Sequence, residues 1–153
     1  MSLSLKDSSY ESLSLDIGEV LFTKGENASF LYILEFGHVG IFNVSSNKRI
    51  IPMFSKLDSG VIGEDCVLQE EPVYNYYAVA LKPSKLIKIP ASEVHMYLSS
   101  SADWLENILF ELSGRIKNTA SLLVKHNIYD DRLNNSSEFL SEELAVLRLA
   151  IKD

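Results

Sequence analysis

Between Leu15 and about Pro90 the chain is cut into short apolar or alternating runs by turn residues spaced roughly ten apart, the pattern of an all-β roll or barrel. Val20-Leu21-Phe22 ends at Lys24-Gly25-Glu26-Asn27, and Phe30 to Leu34 ends near Phe36-Gly37. Val39 to Val44 ends at Ser45-Ser46-Asn47-Lys48, which reads as a hairpin turn before Arg49 to Phe54. An alternating stretch closes at Leu81, and after Pro83-Ser84 a strand from Lys85 to Ile89 sets Lys against Leu and Ile, with one face buried and one wet.

Pro90 stops that strand, and the apolar period then changes. Val94, Tyr97 and Leu98 predict a short helix. Leu105, Ile108, Leu109, Leu112, Ile116 and Leu123 recur at steps of three and four, which predicts a long amphipathic helix from Ala102 to Lys125. Ser100 or Ser101 is placed to cap it, with Asp103 and Glu106 near its start and Arg115, Lys117 and Lys125 toward its end, as the helix dipole favours. The polar break Asn134-Asn135-Ser136-Ser137 precedes a last helical run in which Leu140, Leu144, Leu147 and Ile151 share a stripe. Strands first and helices last make an α+β domain. The expected division is an N-terminal segment (1–12), one domain that includes the long helix (13–126), and a linker with a short helix (127–153).

With 153 residues, 46% of them hydrophobic, the chain can bury a proper core. Its formal charge of -7 disfavours nucleic acid and anionic membrane as direct partners. A single cysteine, Cys66, cannot form an intramolecular disulfide, and neither a signal peptide nor an apolar run long enough to span a membrane is visible, so a cytoplasmic location is expected.

Five ordered blocks carry a family resemblance. They are Gly18-Glu19-Val20-Leu21-Phe22-x-x-Gly25, Leu31-Tyr32-Ile33-Leu34-x-x-Gly37-x-Val39, Leu57-x-x-Gly60-x-Ile62-Gly63-Glu64, the stretch to Leu81, and Leu86 to Val94 with Ile89-Pro90-Ala91-Ser92. Together they resemble the cyclic nucleotide-binding domain, over roughly Leu13 to Lys125. The resemblance implies an antiparallel β-roll (a jelly roll or double-stranded β-helix) followed by C-terminal helices. It also implies a phosphate-binding cassette that starts at Gly63 and Glu64. There the backbone N–H groups after the glycine would meet a cyclic phosphate, and Glu64 would accept a hydrogen bond from the ribose. Members of the family often dimerise through the long helix.

The family meets the phosphate with an arginine about ten residues past the glycine, because a guanidinium offers an anion a fixed fork of donors. Counting forward from Gly63 puts that position at Val73; counting back from Ala80-Leu81 puts it at Tyr74. No Lys or Arg lies between Lys56 and Lys82, whereas Asp58, Glu64, Asp65, Glu70 and Glu71 all do. Tyr74, Asn75, Tyr76 and Tyr77 stand where the family has small residues. Loss of a charge-assisted bidentate contact costs about 2–5 kcal/mol, a loss of ~30-fold or more in affinity. Weak or absent binding of cAMP and cGMP is therefore expected.

The tyrosines can stack a base, and they equally suit a half-buried strand. Glu64 can serve a ribose or cap its own short helix. His38, His95 and His126 lie far apart and lack the spaced pair of a metal-binding β-roll, and Cys66 sits beside carboxylates that disfavour its thiolate. Neither a nucleophile elbow nor a Gly-rich phosphate loop appears, so no enzyme is expected. Beyond His126 only 153 − 126 = 27 residues remain, too few for a helix-turn-helix region of roughly 60 residues.

The first reading is thus a stand-alone sensory or regulatory module. In it Gly63, Glu64, Asp65, Val73, Tyr74 and Asn75 form the ligand site for a nucleotide or other small molecule, with no metal and no certain cofactor. The alternative is a ligand-free interaction module, acting as a homodimer or on a partner protein through the helices Ala102–Lys125 and Leu140–Ile151. An open cavity lined by Glu64 would favour the first; tyrosines packed into that space would favour the second.

Overall fold

The computed structural model describes residues 10–125 and 139–152. Six strands, β1 (Glu11–Leu15), β2 (Val20–Phe22), β3 (Phe30–Val44), β4 (Ile50–Leu57), β5 (Gly60–Ile62) and β6 (Tyr77–Pro90), form one antiparallel sheet. Four helices accompany them: α1 (Glu64–Val67) before β6, then α2 (Ala91–Ser99), α3 (Asp103–Lys125) and α4 (Ser141–Ala150). The sheet order is β1-β6-β3-β4, with β2 added to β6 and β5 added to β3. This is the expected α+β roll.

Its spine is the pairing of β3 with β6, which runs from Phe30 opposite Pro90 to Phe42 opposite Tyr77. The breaks read as strand ends at Phe36-Gly37 and Pro83-Ser84 are instead irregularities inside these two long strands, where the register shifts between Leu34 and Val39. Gly37 is indispensable there. Its φ is +109°, and a Cβ would stand 2.3 Å from Ser84 Oγ and 2.6 Å from the Pro83 carbonyl oxygen. A further strand, β1, begins within the segment read as preceding the domain; its Ser-Leu alternation is half of the pairing with Leu13 opposite Leu86.

Both faces of β6 are buried, and alternate residues serve two clusters. Ala78, Ala80 and Leu86 point into the roll with Phe22, Tyr32, Leu34, Val39, Ile41, Ile62, Tyr74 and Tyr76. Val79 and Leu81 point the other way, onto Phe42, Ile50, Phe139 and Leu147. The last helix therefore packs on the domain's own sheet. Leu147 is fully buried and Leu144 and Ile151 are partly so, while Leu140 remains 69% exposed at the helix start. Glu143 ties the helix down: its Oε2 accepts from the Leu140 amide at 2.8 Å and its Oε1 lies 3.3 Å from His38 Nδ1. Burial holds the His38 imidazole below its ordinary value despite Glu143, so the contact at neutral pH is polar rather than ionic.

The long helix runs as expected, starting one residue later than read. Ser100 and Ser101 do not cap it: their hydroxyls donate to the Tyr97 and Leu98 carbonyls, at 2.8 and 2.5 Å, and so close α2. The side chain of Leu123, His126 and the break Asn134–Ser137 fall outside the described residues. Among the described residues no helix is long and apolar enough to cross a membrane.

Candidate functional site

The cassette is built where β5 hands over to α1. Gly63 is the residue before the helix and has φ 87°, a left-handed conformation that turns the chain sharply; a Cβ there would lie 3.2 Å from Tyr74 Cε1. Glu64 and Asp65 follow in the first turn. Opposite them, residues 72–75 return toward β6. The Pro72 and Tyr74 carbonyls accept from the Ala28 and Gly25 amides at 2.8 and 2.9 Å, the Tyr74 amide donates to the Glu26 carbonyl at 2.9 Å, and Val73 bridges to Asn27. Val73 is thus held by backbone pairing at the rim.

Tyr74 and Tyr76 are not strand residues: they precede β6 and lie in the core, 2% and 1% exposed. The Tyr74 ring stacks on Phe22 at 3.7 Å between centroids and 6° between planes, and its hydroxyl donates to the Phe30 carbonyl at 2.6 Å. The Tyr76 hydroxyl donates to Asp65 Oδ1, and its ring meets Phe54 edge-on at 6.0 Å. Burial raises both phenols well above the ordinary tyrosine range, aided at Tyr74 by Tyr32 and at Tyr76 by the Asp65 carboxylate. Neither ionises near neutral pH, so both act as donors.

Asn75 is spent on structure. Its carbonyl accepts from Asn43 Nδ2 at 3.0 Å, and its own amide nitrogen lies 3.8 Å from Cys66 Sγ. Cys66 is buried, and its thiol is pushed up to about 12 by burial and then by the Asp65 carboxylate, which leaves it unreactive.

The Glu64 carboxyl accepts from its own backbone N–H at the start of α1, and its Oε2 is buried and unpartnered among the described residues. Burial raises this carboxyl above its ordinary value. The cation-free stretch is less isolated than its sequence suggests, because β4 brings Lys56 across Gly60, close enough to act favourably on Glu64. No groups of three His, Cys, Asp or Glu side chains stand ready to hold a metal ion among the described residues.

Of the six candidate residues, Gly63, Glu64, Asp65 and Tyr74 therefore come together, Asn75 packs against Cys66 of α1, and Val73 is held aside by its bridge to Asn27. The sequence reading missed the partners on the outer side of α1. Ser113 of α3, 3% exposed, donates to the Asp65 carbonyl at 2.5 Å and accepts from Gln69 Nε2 at 2.5 Å, and Gln69 also donates to that carbonyl at 2.8 Å. His95 Nε2 donates to the Val67 carbonyl at 2.9 Å and its ring stacks on Phe110. A cleft of about 340 Å³ opens between residues 68–71 and Phe110, Gly114 and Lys117 of α3.

Comparison with known proteins agrees with this architecture. The family model of the cyclic nucleotide-binding domain matches residues 13–101. Curated protein sequences give no match. Among solved structures, the cAMP-bound form of the EAL enzyme Bd1971 superposes with a TM-score of 0.64 at 19% identity, covering 76% of this chain and 31% of that one. The sensor domain of the transcriptional regulator DNR from Pseudomonas aeruginosa gives 0.57 at 22% identity, covering 80% and 78%. A transcriptional regulator from Thermotoga maritima gives 0.58 at 19%, covering 74% and 88%. This chain thus spans about a third of the EAL enzyme but most of each regulator chain, and at these identities the likeness is one of fold. With the family model covering more than half of the chain, the protein belongs to the cyclic nucleotide-binding domain family.

Proposed function

We propose that this chain is a non-enzymatic regulatory module whose cassette is filled from within, so that it does not bind cAMP or cGMP and instead associates through α3 with a second copy of itself. The observation that carries this reading is Tyr74. At the arginine position reached by counting back from β6 stands a neutral ring, stacked on Phe22 and anchored to the Phe30 carbonyl. A phosphodiester there would meet an aromatic face in place of a guanidinium, beside the carboxylates of Glu64 and Asp65.

Isothermal calorimetry and thermal shift with cAMP and cGMP test it. No heat and no shift are expected up to millimolar nucleotide, whereas ligand at about 100 times its dissociation constant would add ~2.7 kcal/mol of stability. An upward shift at micromolar cAMP would overturn the reading.

The partner surface is α3, and the occupant we assign to it is a second copy. Trp104, Ile108, Leu112 and Ile116 recur at four-residue steps and are all exposed, Trp104 by 64%. Contiguous apolar patches beyond a few hundred Å² mark interaction sites, and a stripe of this length provides much of the ~800 Å² per partner of a standard interface. The stripe on α4 is already taken by the domain's own sheet.

A second reading, sensing of another small molecule in the cytoplasm, has one observation in its favour: the buried, unpartnered Oε2 of Glu64. A ligand that donates a hydrogen bond to this atom would stabilise the fold in the same thermal-shift assay.

A further inference from the structure

Helix α1 is four residues long, too short to satisfy its own terminal carbonyls, so side chains must do so. On its inner side Asp65 Oδ1 accepts the buried Tyr76 hydroxyl. On its outer side the backbone carbonyl of the same residue accepts from Ser113 of α3 and from Gln69, and Gln69 donates to Ser113 in turn. One residue therefore touches both the aromatic filling of the roll and the helix that leaves it. Ser113 is 3% exposed, so a lost partner at this joint is not readily replaced by solvent.

We propose that Asp65 couples the tyrosine-filled cassette to α3, held by Tyr76 within the roll and by Ser113 and Gln69 outside it, so that α3 keeps one seat with no ligand bound. Tyr76 is then a built-in substitute for an external ligand: it fixes α1 from the inside, and α1 fixes α3. The hydroxyl is suited to this because burial keeps it protonated and Asp65 is its acceptor. His95, donating to the Val67 carbonyl, braces the same helix from α2 and is a second fixed point about which α1 is held. The proposal rests on the reading that the cassette is filled from within.

Amide hydrogen exchange on the full chain without nucleotide tests it. Tyr76→Phe deletes one hydroxyl and keeps the ring. It is expected to speed exchange about tenfold at the Cys66 and Val67 amides of α1 and at residues 109–117 of α3, with the β1–β6 ladder changed by less than about twofold. Ser113→Ala should loosen the same two segments, and the double variant should exceed the larger single effect by less than about twofold, as residues of one network do. Asp65→Asn retains both an Oδ1 acceptor and the carbonyl and should stay within about threefold of the parent. Faster exchange confined to α1 in Tyr76→Phe, or spread evenly through the β3–β6 ladder, would overturn the coupling. Nucleotide binding by the parent chain would instead overturn the reading of a filled cassette, and the two failures are read in separate assays.

Discussion

Tyr74 lies flat on Phe22, 3.7 Å between ring centroids and 6° between planes, with its hydroxyl tied to the Phe30 carbonyl. The ring is thereby locked in all its freedoms: the stack sets its plane and the hydrogen bond sets its reach. Phe22 ends β2 and Phe30 begins β3, so this one side chain bridges two elements of the roll that are not neighbours in the sheet. The side chain serves core packing here, 2% exposed.

Substitutions at Tyr74 separate the two contributions. Tyr74→Phe keeps the stack and strands the Phe30 carbonyl, for an expected loss of about 1 kcal/mol, or ~2–4 °C in Tm for a chain of this size. Tyr74→Ala leaves a cavity against Phe22 and is expected to cost about 3–5 kcal/mol. Urea denaturation measures both; an alanine variant as stable as the parent would mean that the ring is not part of the core.

The roll was legible because its causes are local: alternation, turn residues and the change of period at Pro90 are all properties of short windows. The two long strands were not, since Gly37 and Ser84 look like punctuation until β3 and β6 are paired and the bend is seen to be shared. The absent cation was equally plain, yet Lys56 acts on Glu64 only because the fold lays its side chain across Gly60. Ser113 was invisible for the same reason. A serine on the inner face of an amphipathic helix carries no signal of its own, and its role appears only once the Asp65 carbonyl is placed beside it.

Glu64 makes stability depend on pH with a known sign. Burial raises its carboxyl above the ordinary 4.5, so the folded chain holds this proton more tightly than the unfolded chain. The contribution of Glu64 to stability is therefore most favourable below 4.5, declines as pH rises from there through the folded value, and carries the full penalty above it. Glu64→Gln removes the charge and keeps the shape. The variant is expected to exceed the parent by about 1 kcal/mol at pH 7, with the difference closing toward pH 4. Parallel denaturation curves at the two pH values check this, and an equal difference at both would assign the effect to packing instead.

The stripe on α3 gives the assembly a direct test. Leu112 lies mid-stripe and half exposed, so Leu112→Glu places a charge in the proposed seam without touching the monomer's core. The parent is expected to run as a dimer in light scattering at micromolar concentration, and the variant as a monomer with circular dichroism and Tm within a few degrees of it. A parent that is monomeric throughout that range would remove the second copy from the account and leave the stripe without its assigned occupant.

The last helix is a structural part of the domain, which makes it separable from α3 by experiment. Leu147 is fully buried against Phe42, Val79 and Leu81, and the helix start is fixed by Glu143, which bonds the Leu140 amide and approaches His38. Leu147→Ala should cost about 2–5 kcal/mol, the range for a leucine deleted from a packed site. Removing residues 136–153 should cost at least as much, because Phe42, Val79 and Leu81 then face water, and the exposed sheet face should bind a hydrophobic dye. A helix that served only to dock a partner would be lost at no expense to the monomer. The two roles therefore diverge in one measurement: truncation that lowers Tm by about 5 °C or more while the α3-dependent dimer persists places α4 in the fold, and an unchanged Tm would return it to the surface.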